Sequence, residues 1–511
     1  MYPEPDRRKP EDARRWVGSD LQVRVLDPAT APQTKDDKRP PLATAYVGPR
    51  VLIPTPSDNA DVRGALEDAA TALGWALTYE EEDERTKGLD YGVVIVHLTI
   101  AEAKAVRPPD GFLLLQQARA MGKRELIAPV GLDHVLHAAS IGSDPMHDSG
   151  PMHDSGPMHD SGPMHDSGPL QDPMSTYLYP GFGGRQPIAY VGDKPHRKAD
   201  GDIVGRRPVV GILDTGCGRH PWLDGLVKTD VTSNGQVIGY PGDLTSPEVH
   251  PNQVGPLDGV IDSLSGHGTF IAGLVHQKCP DADILAWRVV PSEGPIIESD
   301  LIVALTLIAD MARRYRANLT GGHALDVLNL SMGYYHEQQA DEDFDPVMLG
   351  VLEILADNGV VVVASAGNGS TSRPCYPAGF SQSYLQIPVV SVGALNPNNR
   401  TDALFSNTGK WVKVYRQGAA VMSTLPVTFK GGLLPAARTV VKYRMRETID
   451  PDDFSGGFAV WSGTSFAAPV AAGELASALI GKLEVSGKVD DRDTAIDIAR
   501  VAVGECFPIG G

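Results

Sequence analysis

The sequence is poor in cysteine and in aromatic residues, and it has no long apolar run. Its 511 positions include only 4 cysteines, and 6% of the residues are aromatic. The cysteines are widely spaced and none forms a C-x-x-C pair, which excludes a disulfide framework and a zinc ribbon. No run approaches the roughly 18 uncharged apolar residues of a membrane helix. We therefore expect a chain of two or three domains with no membrane partner.

Positive charge is also scarce. Lysine and arginine total 45 against 64 acidic residues, which gives a formal net charge of −19. A protein that binds nucleic acid normally carries a basic patch, so the composition disfavours a nucleic-acid partner. Arg7 and Arg8 are not followed by an apolar stretch, and no export signal is recognised there. With so few cysteines, these features predict a cytoplasmic protein, with secretion as the alternative.

Glycine and proline are abundant, with 55 and 41 residues, which indicates many turns. Residues 1–44 are polar, charged and proline-rich, and we predict that they are disordered. Residues 45–137 alternate apolar strands with amphipathic helices, a pattern that predicts a small α/β domain. The predicted elements are strands at 45–54, 92–100 and 126–130, a helix over 62–73 that follows the capping candidates Ser57 and Asp58, and a helix over 111–121.

Residues 138–204 contain a repeated hexamer of the type MHDSGP between 143 and 172. Because most units carry Gly-Pro, the repeat cannot build a helix or a packed core. We therefore predict a flexible linker over 138–204. The repeat also places four histidines beside aspartates and methionines, which leaves metal binding as an alternative role. These histidines are His147, His153, His159 and His165.

From residue 205 to residue 511 the sequence pattern is different: short apolar runs alternate with segments of helical periodicity. The apolar runs are at 208–213, 284–290, 324–330, 359–366 and 388–395, and the helical patterns are at 267–277, 298–317 and 346–358. This alternation predicts βαβ units around a parallel sheet that is buried on both faces. Catalytic groups collect at the carboxyl ends of such strands.

Three segments of this region carry candidate catalytic residues. VVGILDTGCG ends an apolar strand at Asp214, SGHGTFIAGLV places His267 at a helix start, and SGTSFAAPVAAG places Ser465 at another helix start. Taken singly, each residue has an ordinary structural explanation as a turn, surface or capping residue. The pattern G-T-S-x-A-x-P fixes five positions, however, and arises by chance about once per million starting points. The three segments together are therefore not a coincidence.

These segments, in this order, resemble the subtilisin-like serine proteases, the subtilases. The resemblance spans about residues 205–485. It implies an α/β fold with a subtilisin-like parallel sheet flanked by helices. It also implies a serine endopeptidase that acts on polypeptides without a cofactor. Two further segments agree with the family: NLSMG at 329–333 resembles the strand beside the bound peptide, and SAGN at 365–368 resembles the segment with the oxyanion-hole asparagine.

The resemblance assigns a role to each catalytic candidate. His267 would take the proton of the Ser465 hydroxyl and later pass it to the leaving amine. Asp214 would hold the imidazole tautomer and stabilise its cation. The side-chain amide of Asn368 and the backbone N–H of Ser465 would bind the oxyanion of the tetrahedral intermediate. No metal ligand is expected among these residues.

The resemblance also assigns the substrate-binding residues. Ser331, Met332 and Gly333 would hydrogen-bond an extended peptide as an added strand. Ala366 and Gly367 would line the wall beside the residue that precedes the scissile bond.

The chain departs from many relatives at two places. The helical pattern that begins at the histidine motif runs without interruption to residue 277, which leaves no room for the calcium-binding loop found there in many subtilases. Residues 427–457 form an insertion whose alternating segment 439–445 predicts an extra hairpin.

The domain at 45–137 loosely resembles the pro-domains of subtilases, which inhibit their own protease. This resemblance implies that the amino-terminal domain is an inhibitory partner and that the linker is a site of self-processing. Two alternatives stay open: a catalytically silent binding or scaffold protein on the same fold, and a metal-binding protein that acts through its repeat.

Overall fold

The computed structural model describes most of the chain. The described residues are 22–35, 37, 39–80, 83–89, 91–101, 107–138, 177, 181, 183–190, 192–253, 259–292, 296–338 and 346–508. The whole repeat between residues 143 and 172, including its four histidines and their predicted alternative role in metal binding, lies outside these ranges. None of the helices among the described residues is long and apolar enough to cross a bilayer.

The amino-terminal region forms an antiparallel sheet covered on one face by two helices. Its elements are β1 (Val23–Leu26), β2 (Thr44–Pro54), α1 (Ala60–Leu73), β3 (Trp75–Tyr79), β4 (Val93–Ile100), α2 (Gly111–Ala120) and β5 (Gly131–Ala138). The sheet order is β5–β2–β4–β3, and β1 also pairs with β2. Apolar residues of both helices, including Leu66 and Phe112, pack against Val51 and Ile53 of β2.

Three predictions for this region are wrong in detail. Residues 1–44 were predicted to be disordered, but β1 lies among them, because it pairs with β2 and buries Val23 and Leu26. The helix α1 is capped by Asn59, whose side chain accepts the N–H groups of Asp61 and Val62, and not by Ser57 or Asp58.

The predicted strand at 126–130 is a series of turns, and the strand follows it as β5. Ile127 and Val130 are buried as the sequence suggests, but the backbone N–H of Val130 bonds to the carbonyl of Ile127. Burial alone therefore did not distinguish an apolar turn from a strand. The strand β3 was not predicted, because its short alternating pattern follows directly on α1.

The second sheet is parallel and contains seven strands. In chain order they are β7 (Val209–Asp214), β8 (Val227–Lys228), β9 (Asp283–Arg288), β11 (Val327–Leu330), β13 (Val361–Ser365), β14 (Val390–Leu395) and β15 (Val414–Gln417). The spatial order is β15–β14–β13–β11–β7–β9–β8. Every pairing in it is parallel, as the sequence predicted.

Helices cover both faces of the parallel sheet. They are α3 (His267–Lys278), α4 (Glu298–Arg316), α5 (Pro346–Asp357), α6 (Thr464–Leu479) and α7 (Arg492–Cys506). Val210 and Ile212 of β7 pack in the core shared with α3 and α6, whereas Val209 and Leu213 pack in the core shared with α4 and α5. This alternation is the period of two expected for a strand that is buried on both faces.

Short strands complete the fold. They are β6 (Gln186–Pro187), β10 (Ile296–Ile297), β12 (Met332–Gly333), β16 (Val421–Thr424), β17 (Arg438–Val441), β18 (Arg444–Glu447) and β19 (Phe458–Trp461). β16, β19 and β6 form one small antiparallel sheet, and β17 pairs with β18. The second pair is the hairpin predicted in the insertion, and all its residues are exposed.

The prediction of a flexible linker over 138–204 is wrong for its carboxyl-terminal part. The guanidinium of Arg185 donates to the carbonyls of Ile261, Asp262 and Ser265 at 2.9–3.1 Å. It also lies over the ring of Trp461, 4.9 Å from its centroid. Long-range contacts of this kind cannot be predicted from the proline-rich segment itself, because the carbonyl acceptors lie in another segment of the chain.

We expect Arg185→Ala to destabilise the protein by about 2 kcal/mol, because several carbonyls lose a charged donor. The shift in the urea unfolding midpoint would measure this effect. Arg438→Ala is the matched control, since Arg438 pairs with Glu447 on the exposed hairpin and its loss should change stability by less than about 0.5 kcal/mol. Equal effects of the two variants would contradict the packed arrangement.

Candidate active site

The three catalytic candidates lie at the ends of elements that border the parallel sheet. Asp214 is the last residue of β7, His267 is the first residue of α3, and Ser465 is the second residue of α6. All three side chains are fully buried. The helices α3 and α6 pack in one core, and the ring centroids of His267 and Phe466 lie 5.2 Å apart. The fold therefore brings segments from three distant parts of the sequence together.

His267 and Asp214 form a direct hydrogen bond. Nδ1 of His267 lies 2.7 Å from Oδ1 of Asp214, and the backbone N–H of Thr215 donates to the same oxygen at 2.8 Å. With Nδ1–H as the donor, Nε2 carries a free lone pair. Nε2 is buried and has no hydrogen-bond partner among the described residues. The imidazole is thus oriented so that Nε2 can act as a base and accept a proton.

Ser465 is tied to Ser331 by two reciprocal hydrogen bonds. The Ser465 hydroxyl donates to the Ser331 carbonyl at 3.0 Å, and the Ser331 hydroxyl donates to the Ser465 carbonyl at 2.9 Å. The second bond has a clear cause, because Pro469 is four residues further on and has no N–H to offer that carbonyl. In this structure the Ser465 hydroxyl therefore donates its hydrogen bond to the Ser331 carbonyl and not to Nε2 of His267.

Asn368 presents an unpartnered amide N–H₂ group. Its Oδ1 accepts the backbone N–H of Thr464 at 3.0 Å and the Thr464 hydroxyl at 2.9 Å, which fixes the orientation of the amide. Nδ2 is buried, and no hydrogen-bond partner for it occurs in the described part of the chain. A buried donor without a partner is costly, so its presence beside the start of α6 suits a site where an oxyanion forms.

Two of the predicted substrate-binding residues already pair with another strand. β5 pairs antiparallel with β12, so that Met332 lies opposite Ala138 and Gly333 lies opposite His137. β5 also pairs antiparallel with β10, with Ile296 opposite Leu136. The chain's own β5 therefore lies between β10 and β12.

Ala366 and Gly367 follow β13 and are held by Asn407. The Asn407 amide donates to the Ala366 carbonyl at 2.7 Å, and the Asn407 backbone N–H donates to the Gly367 carbonyl at 2.9 Å. Gly367 has φ 92°, and a side chain there would meet the Asn407 amide nitrogen at 2.6 Å. A glycine is thus required at position 367.

Sequence reasoning missed Glu248, which is buried beside His267. Its carboxylate accepts hydrogen bonds from the first turn of α3 and from Thr215. Burial, together with the charge of Asp214, raises the pKa of Glu248 to about 7. It lies in a loop without periodic pattern, so no signal in one sequence marked it.

A second buried polar cluster joins β5 to the rest of the molecule. Nδ1 of His134 lies 2.6 Å from Glu298, and Nε2 lies 2.8 Å from Glu337. Burial alone would lower the pKa of His134, but the two carboxylates raise it well above the ordinary value. Burial also raises the pKa of the neighbouring Asp133 to about 7.

This cluster is also a group that could hold a metal ion among the described residues. His134, His336 and Glu337 offer ligand atoms within 4.8 Å of one another. Both ring nitrogens of His134 already face carboxylates, however, and such a ring is best satisfied as a protonated imidazolium. The arrangement is accordingly an ion-paired cluster in this structure.

The fold and the site define the class of proteins with a parallel α/β sheet that carries an Asp–His pair beside a serine at a helix start. The model of the Subtilase family matches residues 205–486, which is more than half of the chain. The chain therefore belongs to the subtilase family. Its subtilisin-like fold confirms the fold class predicted from the sequence.

Individual relatives are distant. The chain is 28% identical over 227 residues to a thermophilic serine proteinase of Bacillus sp. (strain AK1), a match that covers 42% of this chain and 45% of that protein. It is 26% identical over 232 residues to the serine protease AprX of Bacillus subtilis (strain 168), with coverage of 41% and 44%. The chain thus spans less than half the length of these two relatives.

A solved structure of a cold adapted subtilisin-like serine proteinase matches 59% of this chain and 83% of its own. The identity is 18% and the TM-score is 0.37.

The reciprocal bonds between Ser465 and Ser331 give a testable coupling. In the Ser465→Ala background, which keeps the carbonyl, Ser331→Ala should destabilise the chain by about 1–2 kcal/mol, because that carbonyl loses its donor. Pro469→Ala supplies a backbone N–H to the same carbonyl, so Ser331→Ala should cost about 1 kcal/mol less in its presence. A double-mutant cycle from urea unfolding measures the difference. Strict additivity would contradict this account of the helix start.

Proposed function

We propose that this protein is a serine endopeptidase that hydrolyses peptide bonds through Asp214, His267 and Ser465. The observation that carries the proposal is a pair of buried, unpartnered atoms, Nε2 of His267 and Nδ2 of Asn368. One is an acceptor suited to a proton, and the other is a donor suited to an oxyanion. The names of the two relatives, a serine proteinase and a serine protease, support the same activity.

The first half of the reaction forms an acyl-enzyme. The Ser465 hydroxyl leaves the Ser331 carbonyl and donates to Nε2 of His267, which takes the proton as the oxygen attacks the substrate carbonyl carbon. Asp214 stabilises the resulting imidazolium. The oxyanion is bound by the Asn368 amide and the backbone N–H of Ser465. As the intermediate collapses, the C–N bond breaks and His267 gives its proton to the leaving amine.

The second half of the reaction hydrolyses the ester. A water molecule donates a proton to His267 and attacks the acyl carbon. The ester bond breaks, the carboxylic acid product leaves, and the proton returns from His267 to the Ser465 oxygen. No cofactor takes part in these steps.

Substrates bind as an extended strand. The backbone of Ser331, Met332 and Gly333 offers an edge to which a peptide can be added, while Ala366 and Gly367 lie beside the residue before the scissile bond. The pairing of β5 with β12 supports this proposal, because it demonstrates that the edge accepts an antiparallel extended segment.

The same pairing supports an inhibitory role for the amino-terminal domain at 45–137. β5 lies between β10 and β12, where an extended substrate would be added. A polypeptide substrate would therefore have to displace it. The chain continues from β5 into the segment 138–204, and we place self-processing there. Removal of the domain at 45–137 would free the peptidase domain at 205–511.

The four cysteines are free thiols in the structure, a state that fits a reducing compartment. We place the activity in the cytoplasm on this basis, with secretion as the alternative.

The decisive experiment uses a fluorophosphonate probe on the full chain during prolonged incubation. The wild type should become labelled, and Ser465→Ala should not. Asn368→Ala should lower kcat for peptide hydrolysis by about 10²–10³-fold with a smaller change in KM, because its amide acts on the transition state. Intact mass spectrometry should find a shortened wild type beside a full-length Ser465→Ala chain. A wild type that neither labels nor hydrolyses peptides would overturn the proposal and leave the scaffold alternative.

The contact between His134 and the two carboxylates predicts a pH dependence of stability. Because the folded state raises the pKa of His134, its contribution is complete below the ordinary value of about 6.5 and is lost as pH rises above it. The free energy of unfolding of the Ser465→Ala chain should therefore fall between pH 6.5 and 9, by at most about 1.4 kcal/mol per pH unit.

Urea unfolding at a series of pH values checks this prediction. His134→Gln should flatten the decline. His97→Gln is the control, since His97 contacts Glu80 near the surface and its loss should leave the slope unchanged. An unchanged slope in His134→Gln would contradict the role assigned to the cluster.

A further inference from the structure

The carboxylate of Glu248 connects the two elements that carry the Asp–His pair. On the α3 side, Oε1 accepts the backbone N–H groups of Gly268 at 3.1 Å and Thr269 at 3.3 Å, directly after His267. On the β7 side, Oε1 contacts the hydroxyl of Thr215, the residue directly after Asp214. One buried side chain thus touches the neighbours of both residues.

The directions of these hydrogen bonds are fixed by the backbone. The Thr215 hydroxyl accepts the N–H of Gly268 at 2.7 Å, and the Thr269 hydroxyl accepts the N–H of Gly218 at 2.7 Å. Each hydroxyl therefore has its proton free to donate, and Thr269 directs it to Oε2 of Glu248 at 2.5 Å. Two N–H and two O–H donors surround Glu248 and favour its ionised form, whereas burial opposes ionisation and raises its pKa to about 7.

The Thr215 hydroxyl also lies 3.3 Å from Oδ1 of Asp214, the oxygen that receives Nδ1 of His267. A closed ring of contacts results. It runs from Glu248 through Thr215 to Asp214 and His267, and it returns to Glu248 through the N–H of Gly268. A ring of this kind constrains the relative position of a strand end and a helix start, which no bond within either element can do.

Among the described residues, few other charged groups face Glu248. Asp214 opposes its ionisation, and burial keeps the nearby Cys217 a neutral thiol by raising its pKa. Arg288 lies on the adjacent β9, but its guanidinium donates to loop carbonyls, including those of Tyr240 and Pro241. The site therefore holds two buried carboxylates, and one of them, Asp214, is hydrogen-bonded to His267.

We propose that Glu248 is a positioning residue of the active site, whose carboxylate aligns His267 with Asp214 and favours the protonated imidazolium by its charge. This inference rests on the proposed serine endopeptidase function. It separates two contributions: the hydrogen bonds set the geometry of the pair, and the negative charge that Glu248 carries above a pH of about 7 stabilises the imidazolium that forms during the reaction.

Two substitutions distinguish these contributions in the full chain. Glu248→Gln keeps the shape but removes the charge, and its N–H₂ group faces a hydroxyl that already accepts an N–H. We expect kcat/KM and fluorophosphonate labelling to fall by about tenfold above pH 7, where Glu248 is ionised in the wild type, and to approach the wild-type values below pH 6. Glu248→Asp keeps the charge but shortens the reach. We expect its rate to fall by about tenfold to a hundredfold at every pH.

Glu484→Gln is the matched control. Glu484 is also buried in the same domain, and its carboxylate bonds to Arg206 and Tyr315 at 2.8 Å. Its loss should reduce stability and leave the pH profile unchanged. Circular dichroism and active-site titration on each variant ensure that rates refer to folded, reactive protein.

The outcomes separate this inference from the function on which it rests. A wild type that is active, with a loss of rate above pH 7 in Glu248→Gln and not in Glu484→Gln, supports it. If the wild type is active and both variants share its profile, the role of Glu248 is refuted while the peptidase stands. A wild type without labelling or hydrolysis at any pH refutes both.

Discussion

The hydrogen bond between His267 and Asp214 depends on the close approach of two backbone segments. A side chain at Gly268 would meet the carbonyl oxygen of Gly216 at 2.1 Å, so α3 can start against the end of β7 only because that position is glycine. The apolar residues of α3, among them Phe270 and Val275, pack in the core beneath. The packing of the sheet against the helix therefore determines the geometry of the His267–Asp214 pair. Because that packing is dense, it also keeps the pair rigid.

The polar groups around the site divide into two kinds. Ser331, Thr464 and Glu248 have hydrogen-bond partners that connect separate elements, and these bonds hold the backbone in place. Nε2 of His267 and Nδ2 of Asn368 are buried and have no partner among the described residues. Unpartnered buried groups are costly in a folded protein, and they persist where the surrounding bonds leave no alternative. The hydrogen bonds of the first kind therefore fix the backbone in a position that leaves Nε2 and Nδ2 without partners.

Much of the region 205–511 was predictable because its signals are local. A strand buried on both faces reads as a continuous apolar run, and all five runs proposed from the sequence overlap strands of the parallel sheet. The amino-terminal region was harder. Residues 126–130 are apolar and buried but form turns, and β1 lies in a polar segment that is ordered only by its pairing with β2. Arg185 orders part of the supposed linker through carbonyls about 80 residues away.

The sequence by itself determined the family, the parallel sheet and the three motifs that carry Asp214, His267 and Ser465, because these depend on periodicity, turn chemistry and short motifs. Only the tertiary structure decided which segments meet. It placed β5 between β10 and β12, and it brought His134 to Glu298 and Glu337, which are 164 and 203 residues further along the chain. It also placed Glu248 beside Asp214. The physical reason is that such contacts depend on the summed packing of whole elements, which no local pattern of residues encodes.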